Sequence, residues 1–326
     1  RQVQGLRAAG HIVDVVELGG NHPLPDAPAR EAARRAWHGL PDGARPVIDD
    51  RCLPAFVDLA AELANRAVGL IHHSMALEHG LAESDRAALR DIERHLLPRL
   101  AKAIATSQSG AERLQTEFGV ASDRIGAVLP GTDDAPRSLG SGGPGCAILS
   151  LGALVPRNGH DVLLRALARL FDLDWSLAIV GSAERDPAHA HGLEALAEQL
   201  GIAQRVGFAG DPGVRQGNAA TLDGLWHGAD LFALATQWEN DGMAVAEALK
   251  RGLPVAITTG GAAGFVVPVD AGVICPPGDY EGLSKAMRRL IFDAGLRRFM
   301  ADTAWQAGRL FSDWATQSQA FAAALA

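Results

Sequence analysis

Two glutamates, Glu239 and Glu247, stand either side of Gly242 with seven residues between them. Gly242 permits a tight loop that turns into a helix. At a helix start the backbone N–H groups, here those of Met243 and Ala244, lack intrahelical partners, so with the helix dipole behind them they can meet an anionic diphosphate. Glu247, just over one turn into that helix, can accept two hydrogen bonds from a cis-diol. Glu239 lies on the loop before it. By itself a Glu pair at this spacing is an ordinary exposed-helix pattern. The setting selects the binding reading, because an apolar run at 229–236 precedes it and Gly252, Leu253, Pro254 and Val255 follow it, giving strand, loop, helix and strand in order.

The elements that must position these residues follow one rhythm. Short β-branched or apolar runs alternate with longer helical patterns, which favours parallel sheets built from βαβ units. Strands are expected at 11–18, 46–49, 68–72, 103–107 and 125–129, with helices near 27–38, 53–64, 82–101 and 108–118. After a Gly-, Ser- and Pro-rich stretch at 134–145, expected to be a linker, the rhythm restarts at 147–151. Helices are then expected near 160–171, 188–200, 219–228, 243–251, 280–292, 296–307 and 314–325. The strands among them are expected at 175–180, 205–208, 230–234, 255–257 and 273–275. The boundary is placed near 140, giving domains 1–139 and 140–326, each an α/β, Rossmann-like, doubly wound parallel sheet, facing each other across a cleft. Residues 2–9 read as the end of a helix whose preceding strand is missing.

Bulk properties agree with two soluble α/β domains. The chain has 326 residues, 48% apolar, 21% charged and 5% aromatic. A net charge of −8 disfavours a broad grip on nucleic acid or an anionic membrane. No apolar run approaches a membrane span, so the expected compartment is the cytoplasm, with peripheral membrane contact left open. Cys52, Cys146 and Cys275 are far apart and read as buried thiols. The 11 His show no ligand spacing, and no essential metal is expected.

The segment 229–256 resembles the signature of the group 1 (family 4) retaining glycosyltransferases of the GT-B fold. The resemblance covers most of the chain and is strongest over 147–307. It implies that Glu239 contacts the transferred sugar, that Glu247 holds the nucleotide ribose, and that no cofactor is needed beyond a nucleoside diphosphate sugar as co-substrate. Residues 150–164 resemble the family's first strand, phosphate loop and helix, with Gly152 at the turn. The family carries an Arg directly after that Gly and a Lys directly before the next. Here Ala153 and Asn158 stand there, and one lost cationic contact can cost on the order of 10²–10³ in rate. Arg157 is the candidate substitute; the alternative is a solvated loop charge.

Residues 180–182 resemble the strand end over the donor, and 206–211 the loop against the base, with backbone near Gly210 and Asp211 as base readers. Residues 258–264 match the Gly-rich segment that closes the family's site, and 272–279 match a structural strand and turn. In the first half, 70–75 puts two His at a strand's carboxyl end. The resemblance implies that His73, with His72 second, reaches the sugar; a His satisfied by neighbouring backbone is the alternative. Asp49 and Asp50 read as turn or cap residues before acceptor contacts. Residues 311–321 resemble the last helix, which in the family packs across both domains.

The resemblance thus implies transfer of a hexosyl-type group from a nucleotide-sugar donor to an unidentified hydroxyl acceptor. A nucleotide-sugar isomerase or hydrolase of the same fold, and a donor-binding module without turnover, stay open, since fold alone does not choose.

Overall fold

The structure is a computed structural model that describes residues 1–64, 66–77, 81–210, 221–239 and 241–325. The chain forms two compact units, Arg1–Gly131 with Ser312–Ala326 (unit 1) and Thr132–Phe311 (unit 2).

Unit 1 holds a parallel sheet in the order β1-β2-β3-β4, formed by Val47–Asp49, Val68–Ile71, Lys102–Ala105 and Ile125–Ala127. Val68 and Ala103 sit beside Ile104 and Ala105 with almost no exposure, because helices cover the sheet. The helix Ala27–His38 starts on Asp26, whose carboxylate accepts the Ala29 amide (2.9 Å), and buries Ala29, Ala33 and Trp37 on one face. The helix Gln2–Ala8 packs on Trp314–Leu325, and Gly5 is needed there because a Cβ would lie 2.0 Å from Ser318 Oγ.

The strand expected at 11–18 is absent. Ile12, Val15 and Val16 are exposed, and the Val13 carbonyl is served by the Arg7 guanidinium (2.6 Å) instead of by a ladder. β-propensity is realised only beside a pairing strand, and these residues pair with none. The helix expected at 53–64 is mostly 3₁₀, Leu53–Leu59, before the α-turn Ala60–Leu63. The one at 82–101 ends at Leu96, after which Pro98 sits in a 3₁₀ turn.

Unit 2 holds six parallel strands, β5 (Cys146–Leu151), β6 (Trp175–Val180), β7 (Val206–Phe208), β8 (Leu231–Leu234), β9 (Val255–Thr258) and β10 (Gly272–Cys275), in the order β10-β9-β8-β5-β6-β7. Every residue of β8 and β9 is buried, which is why those strands read as unbroken apolar runs. Helices His160–Ala168 and Tyr280–Phe292 pack together over the core around Leu163, Leu167 and Met287, while Met243–Lys250 packs on Ala294–Gly308 around Val245, Ala248 and Ala304. The stretch 134–145 has no helix or strand but is tied to unit 2. Ser138 N donates to Arg251 O (2.9 Å), Leu139 N to His227 O (3.0 Å) and Ser141 N to Asp230 Oδ1 (3.3 Å). The three thiols are free; Cys146 and Cys275 are buried, whereas Cys52, expected inside, is half-buried.

Candidate functional site

In unit 2 the chain runs from β5 outward through β6 and β7, then returns to place β8, β9 and β10 on the other side. The order therefore reverses between β5 and β8, and in such sheets ligands bind in the crevice beyond the carboxyl ends of the strands at that point. The loops after β5 and β8 carry Gly152, Arg157, Asn158, Glu239 and Gly242.

These two loops are interlocked. Arg157 O accepts the Gln237 amide (2.8 Å) and the Thr236 hydroxyl (3.1 Å), and Arg157 Nη1 donates to Trp238 O (3.3 Å). Gly159, in the left-handed region at φ 62°, lies so close to β8 that a Cβ would fall 1.9 Å from Ala235 O. On the other side Gly152 N donates to Val180 O (2.9 Å), Leu154 N to Ser182 O (2.9 Å) and Gly181 N to Gly210 O (2.8 Å), which brings the β5, β6 and β7 loops together.

Asn158, the donor-binding candidate at the place of the family's Lys, is buried and donates from Nδ2 to Ala153 O (2.8 Å), so its side chain braces its own loop. A second brace was not foreseen. His160 is buried with Nε2 3.1 Å from Gly152 O, and burial pushes its pKa down to about 4, so it is neutral and carries its proton on the nitrogen facing that carbonyl. A His at a helix start gives no sequence signal for that role.

Glu239 is fixed by the Gly-rich segment. Its N–H donates to Gly260 O (2.8 Å), its carbonyl accepts the Ala262 amide (2.7 Å), and it pairs with Gly261 as an isolated parallel bridge. A Cβ on Gly260 would meet Gln237 O at 2.3 Å, and one on Gly261 would meet Glu239 O at 2.1 Å, which accounts for both glycines. Burial, then the negative charge of Asp241, pushes the Glu239 carboxyl up to about 7, with Arg157 and the Gly242 amide acting in the opposite direction. Near neutral pH it can therefore either donate or accept a proton in a hydrogen bond.

The helix Met243–Lys250 begins at Gly242, left-handed at φ 71°. Its first amide is not open as the sequence suggested. Met243 N donates to Asp241 Oδ1 (3.1 Å), since a carboxylate is favoured at a helix N-terminus. Ala244 is half-buried in the same turn. Glu247 is half-buried, and its carbonyl accepts from Arg251 Nη1 (3.2 Å). The Arg251 guanidinium lies over the Trp226 ring (4.6 Å), which stacks on Phe232 (5.6 Å). The contact of Arg251 with Trp226 joins positions that no local spacing connects. Gly210 is left-handed at φ 68°, and Asp211 lies outside the described residues.

His73 belongs to unit 1. It follows β2, is buried, and donates its amide to Asp50 Oδ2 (2.6 Å). His72 is exposed, with Nε2 3.8 Å from Asp49 Oδ2. Asp49 accepts the Arg51 amide (3.1 Å), the expected turn role, whereas Asp50 is a buried anchor. Among the described residues no group of three or more His, Cys, Asp or Glu could hold a metal ion, and no helix is long and apolar enough to cross a membrane.

Residues 132–306 match the family described as "Glycosyl transferases group 1". A D-inositol 3-phosphate glycosyltransferase of Thermomonospora curvata is 29% identical over 279 residues, covering 74% of this chain and 64% of the relative. A protein of the same description from Xylanimonas cellulosilytica is 31% identical over 225 residues, covering 64% of this chain and 52% of the relative. The chain thus spans less than two thirds of the length of these relatives. Among solved structures, a sucrose-phosphate synthase of Thermosynechococcus elongatus superposes with a TM-score of 0.77 at 18% identity, over 99% of this chain and 90% of the other. WaaG, a glycosyltransferase involved in lipopolysaccharide biosynthesis, gives 0.74 at 18% identity, over 98% and 93%. Anabaena HepE in complex with UDP and glucose gives 0.72 at 18%, over 91% and 81%.

Proposed function

Because the chain belongs to the group 1 glycosyl transferases and has the GT-B fold, we propose that it moves a hexosyl-type group from a nucleoside diphosphate sugar to an acceptor hydroxyl with retention of anomeric configuration. The observation that carries this reading is the interlock at the switch point, where Arg157 is tied to the 236–238 backbone within electrostatic reach of Glu239, just before the helix start at Gly242. In this reading the Arg157 cation, the Glu239 carboxyl and the helix start at Gly242 supply the charge and donors that a departing diphosphate needs.

In this reading Glu239 positions the sugar and Glu247 accepts from the ribose diol. The amides of Met243 and Ala244 meet the diphosphate, which displaces the Asp241 carboxylate from Met243, and Arg157 supplies positive charge in place of the family's Arg and Lys. The Gly152 turn and the Asn158 brace hold the Arg157 loop, Gly210 and Asp211 read the base, and His73 serves the transferred sugar. The acceptor oxygen attacks the anomeric carbon on the face the diphosphate leaves. The bond from that carbon to the diphosphate oxygen breaks, and the acceptor proton passes to the departing oxygen. No covalent enzyme intermediate forms. HepE was solved with UDP and glucose, which makes UDP the first nucleotide to try.

Incubation with several nucleotide sugars, with and without acceptor mixtures, tests the reading by the release of free nucleotide. Acceptor-dependent release supports transfer; interconversion of the donor or acceptor-independent breakdown overturns it. Glu247→Ala is expected to weaken UDP binding by about 10- to 100-fold, the range for hydrogen bonds to a charged group. Unchanged affinity in calorimetry would remove Glu247 from the ribose.

A further inference from the structure

Four consecutive residues after β2 point their donors at two carboxyls that come from elsewhere in unit 1. The His73 amide donates to Asp50 Oδ2 (2.6 Å). The Ser74 hydroxyl donates to Glu93 Oε2 (2.6 Å), the Met75 amide to Glu93 Oε1 (2.7 Å) and the Ala76 amide to Glu93 Oε2 (3.3 Å). Asp50 ends its strand region beside Leu70, whose carbonyl accepts the Asp50 amide (3.0 Å), and Glu93 sits on the helix Glu83–Leu96. Both carboxyls are buried, at 6% and 4% exposure.

Burying two acids near each other is costly, and it shows in their protonation. Burial raises Glu93 to about 7 and Asp50 to about 6, and each of the loop amides only partly offsets it. Seating the loop does not require that cost. Met75 and Ala76 already pack with Leu89 in an apolar cluster. What apolar packing cannot do is fix peptide orientation, because it has no direction, whereas hydrogen bonds to a carboxyl do.

We infer that Glu93, together with Asp50, is a positioning residue that sets the backbone on both sides of His73 and thereby the direction of its imidazole. The inference rests on the proposed role of His73 at the transferred sugar. Glu93 acts through the loop and does not touch the reacting atoms. Its effect therefore falls on turnover and not on nucleotide affinity, since a misplacement of about 1 Å at a reacting group can cost on the order of 10²-fold.

The test compares Glu93→Ala, Glu93→Gln, His73→Ala and the double variant Glu93→Ala with His73→Ala in the full chain. Glu93→Gln keeps the carbonyl acceptor for the Met75 amide and can donate to the Ser74 hydroxyl, which rotates to accept, losing only the long Ala76 contact (3.3 Å), so it is expected to retain turnover within about threefold. Glu93→Ala is expected to lower kcat by about 10- to 100-fold with the UDP Kd unchanged. In the His73→Ala background the same change is expected to lower kcat no further, because the group it positions is gone. Equal losses in both backgrounds, or an unchanged kcat for Glu93→Ala, would overturn the inference. Should Glu93→Ala not fold, Ser74→Ala removes a single donor and is read by the same outcomes. If the unaltered protein binds UDP but shows no acceptor-dependent release, the transfer reading fails separately. The positioning is then judged from the His73 imidazole resonances, which Glu93→Ala or Ser74→Ala shifts and Glu93→Gln leaves in place; superposable spectra overturn it.

Discussion

In unit 2 the loops after β5 and β8 are fixed by backbone meeting backbone at Gly159, Gly181, Gly260 and Gly261, whereas in unit 1 the loop after β2 is fixed by the buried carboxyls of Asp50 and Glu93. All three loops lie at the carboxyl ends of parallel strands and carry residues proposed to meet substrate. Contact at glycine tolerates no added atom but is indifferent to pH. Carboxyl anchoring tolerates an isostere but changes with protonation. The first suits a loop that must present amides and a guanidinium at short range, and the second suits a loop that must aim one side chain.

The comparison breaks most sharply at glycine. Gly159→Ala puts a Cβ 1.9 Å from Ala235 O at a left-handed φ of 62°. The backbone conformation alone costs about 1–3 kcal/mol, and the clash forces the β5 and β8 loops apart. UDP affinity in calorimetry should fall by more than tenfold, with a lowered Tm, and an unaltered Kd would show that the interlock is not needed for binding.

Acidity is the next discriminator. Glu93 and Asp50 have folded pKa values of about 7 and 6, above their ordinary 4.5 and 3.8, so the folded state binds more protons between those limits. Stability contributed by these groups is therefore greatest at low pH and is lost as pH rises through about 7. In unit 2 Glu239, raised to about 7, contributes with the same sign, whereas His160, lowered from 6.5 to about 4, contributes with the opposite sign as pH rises from about 4 to 6.5 and flattens the slope. Amide exchange is expected to show protection in β2 falling between pH 5 and 8 more steeply than in β8. Glu93→Gln should flatten the first, by on the order of 2 kcal/mol, and Glu239→Gln should flatten the second. Equal slopes in both sheets would erase the distinction.

The smallest expected effect is at Asn158. Restoring the family's Lys by Asn158→Lys removes the bond to Ala153 O and puts a charge where the side chain is 5% exposed. A loss of about 1–2 kcal/mol in chemical denaturation is expected, with turnover changed less than threefold. A large gain in turnover would mean that the loop accepts a cation at 158 and that Arg157 does not replace it.

Much of this architecture was legible. The alternation of apolar runs with helical patterns located all ten strands of the two described sheets to within a few residues because buried parallel strands are apolar on both faces, as in β8 and β9. Residues 11–18 misled because β-branched composition does not supply a pairing partner. At the site, Gly242 and the Gly-rich segment at 258–264 were readable because a glycine marks a backbone requirement whatever surrounds it. The occupation of the Met243 amide by Asp241, the inward turn of Asn158, the neutral His160 and the Glu93 anchor were not readable.

By itself the sequence determined the family, the parallel α/β class and the candidate residues of the donor site, since each depends on residue type and local spacing. Only the tertiary structure decided which of those residues face inward as braces and which converge. Burial and long-range hydrogen bonds, such as those from Ser74, Met75 and Ala76 to Glu93, join positions that no local spacing connects.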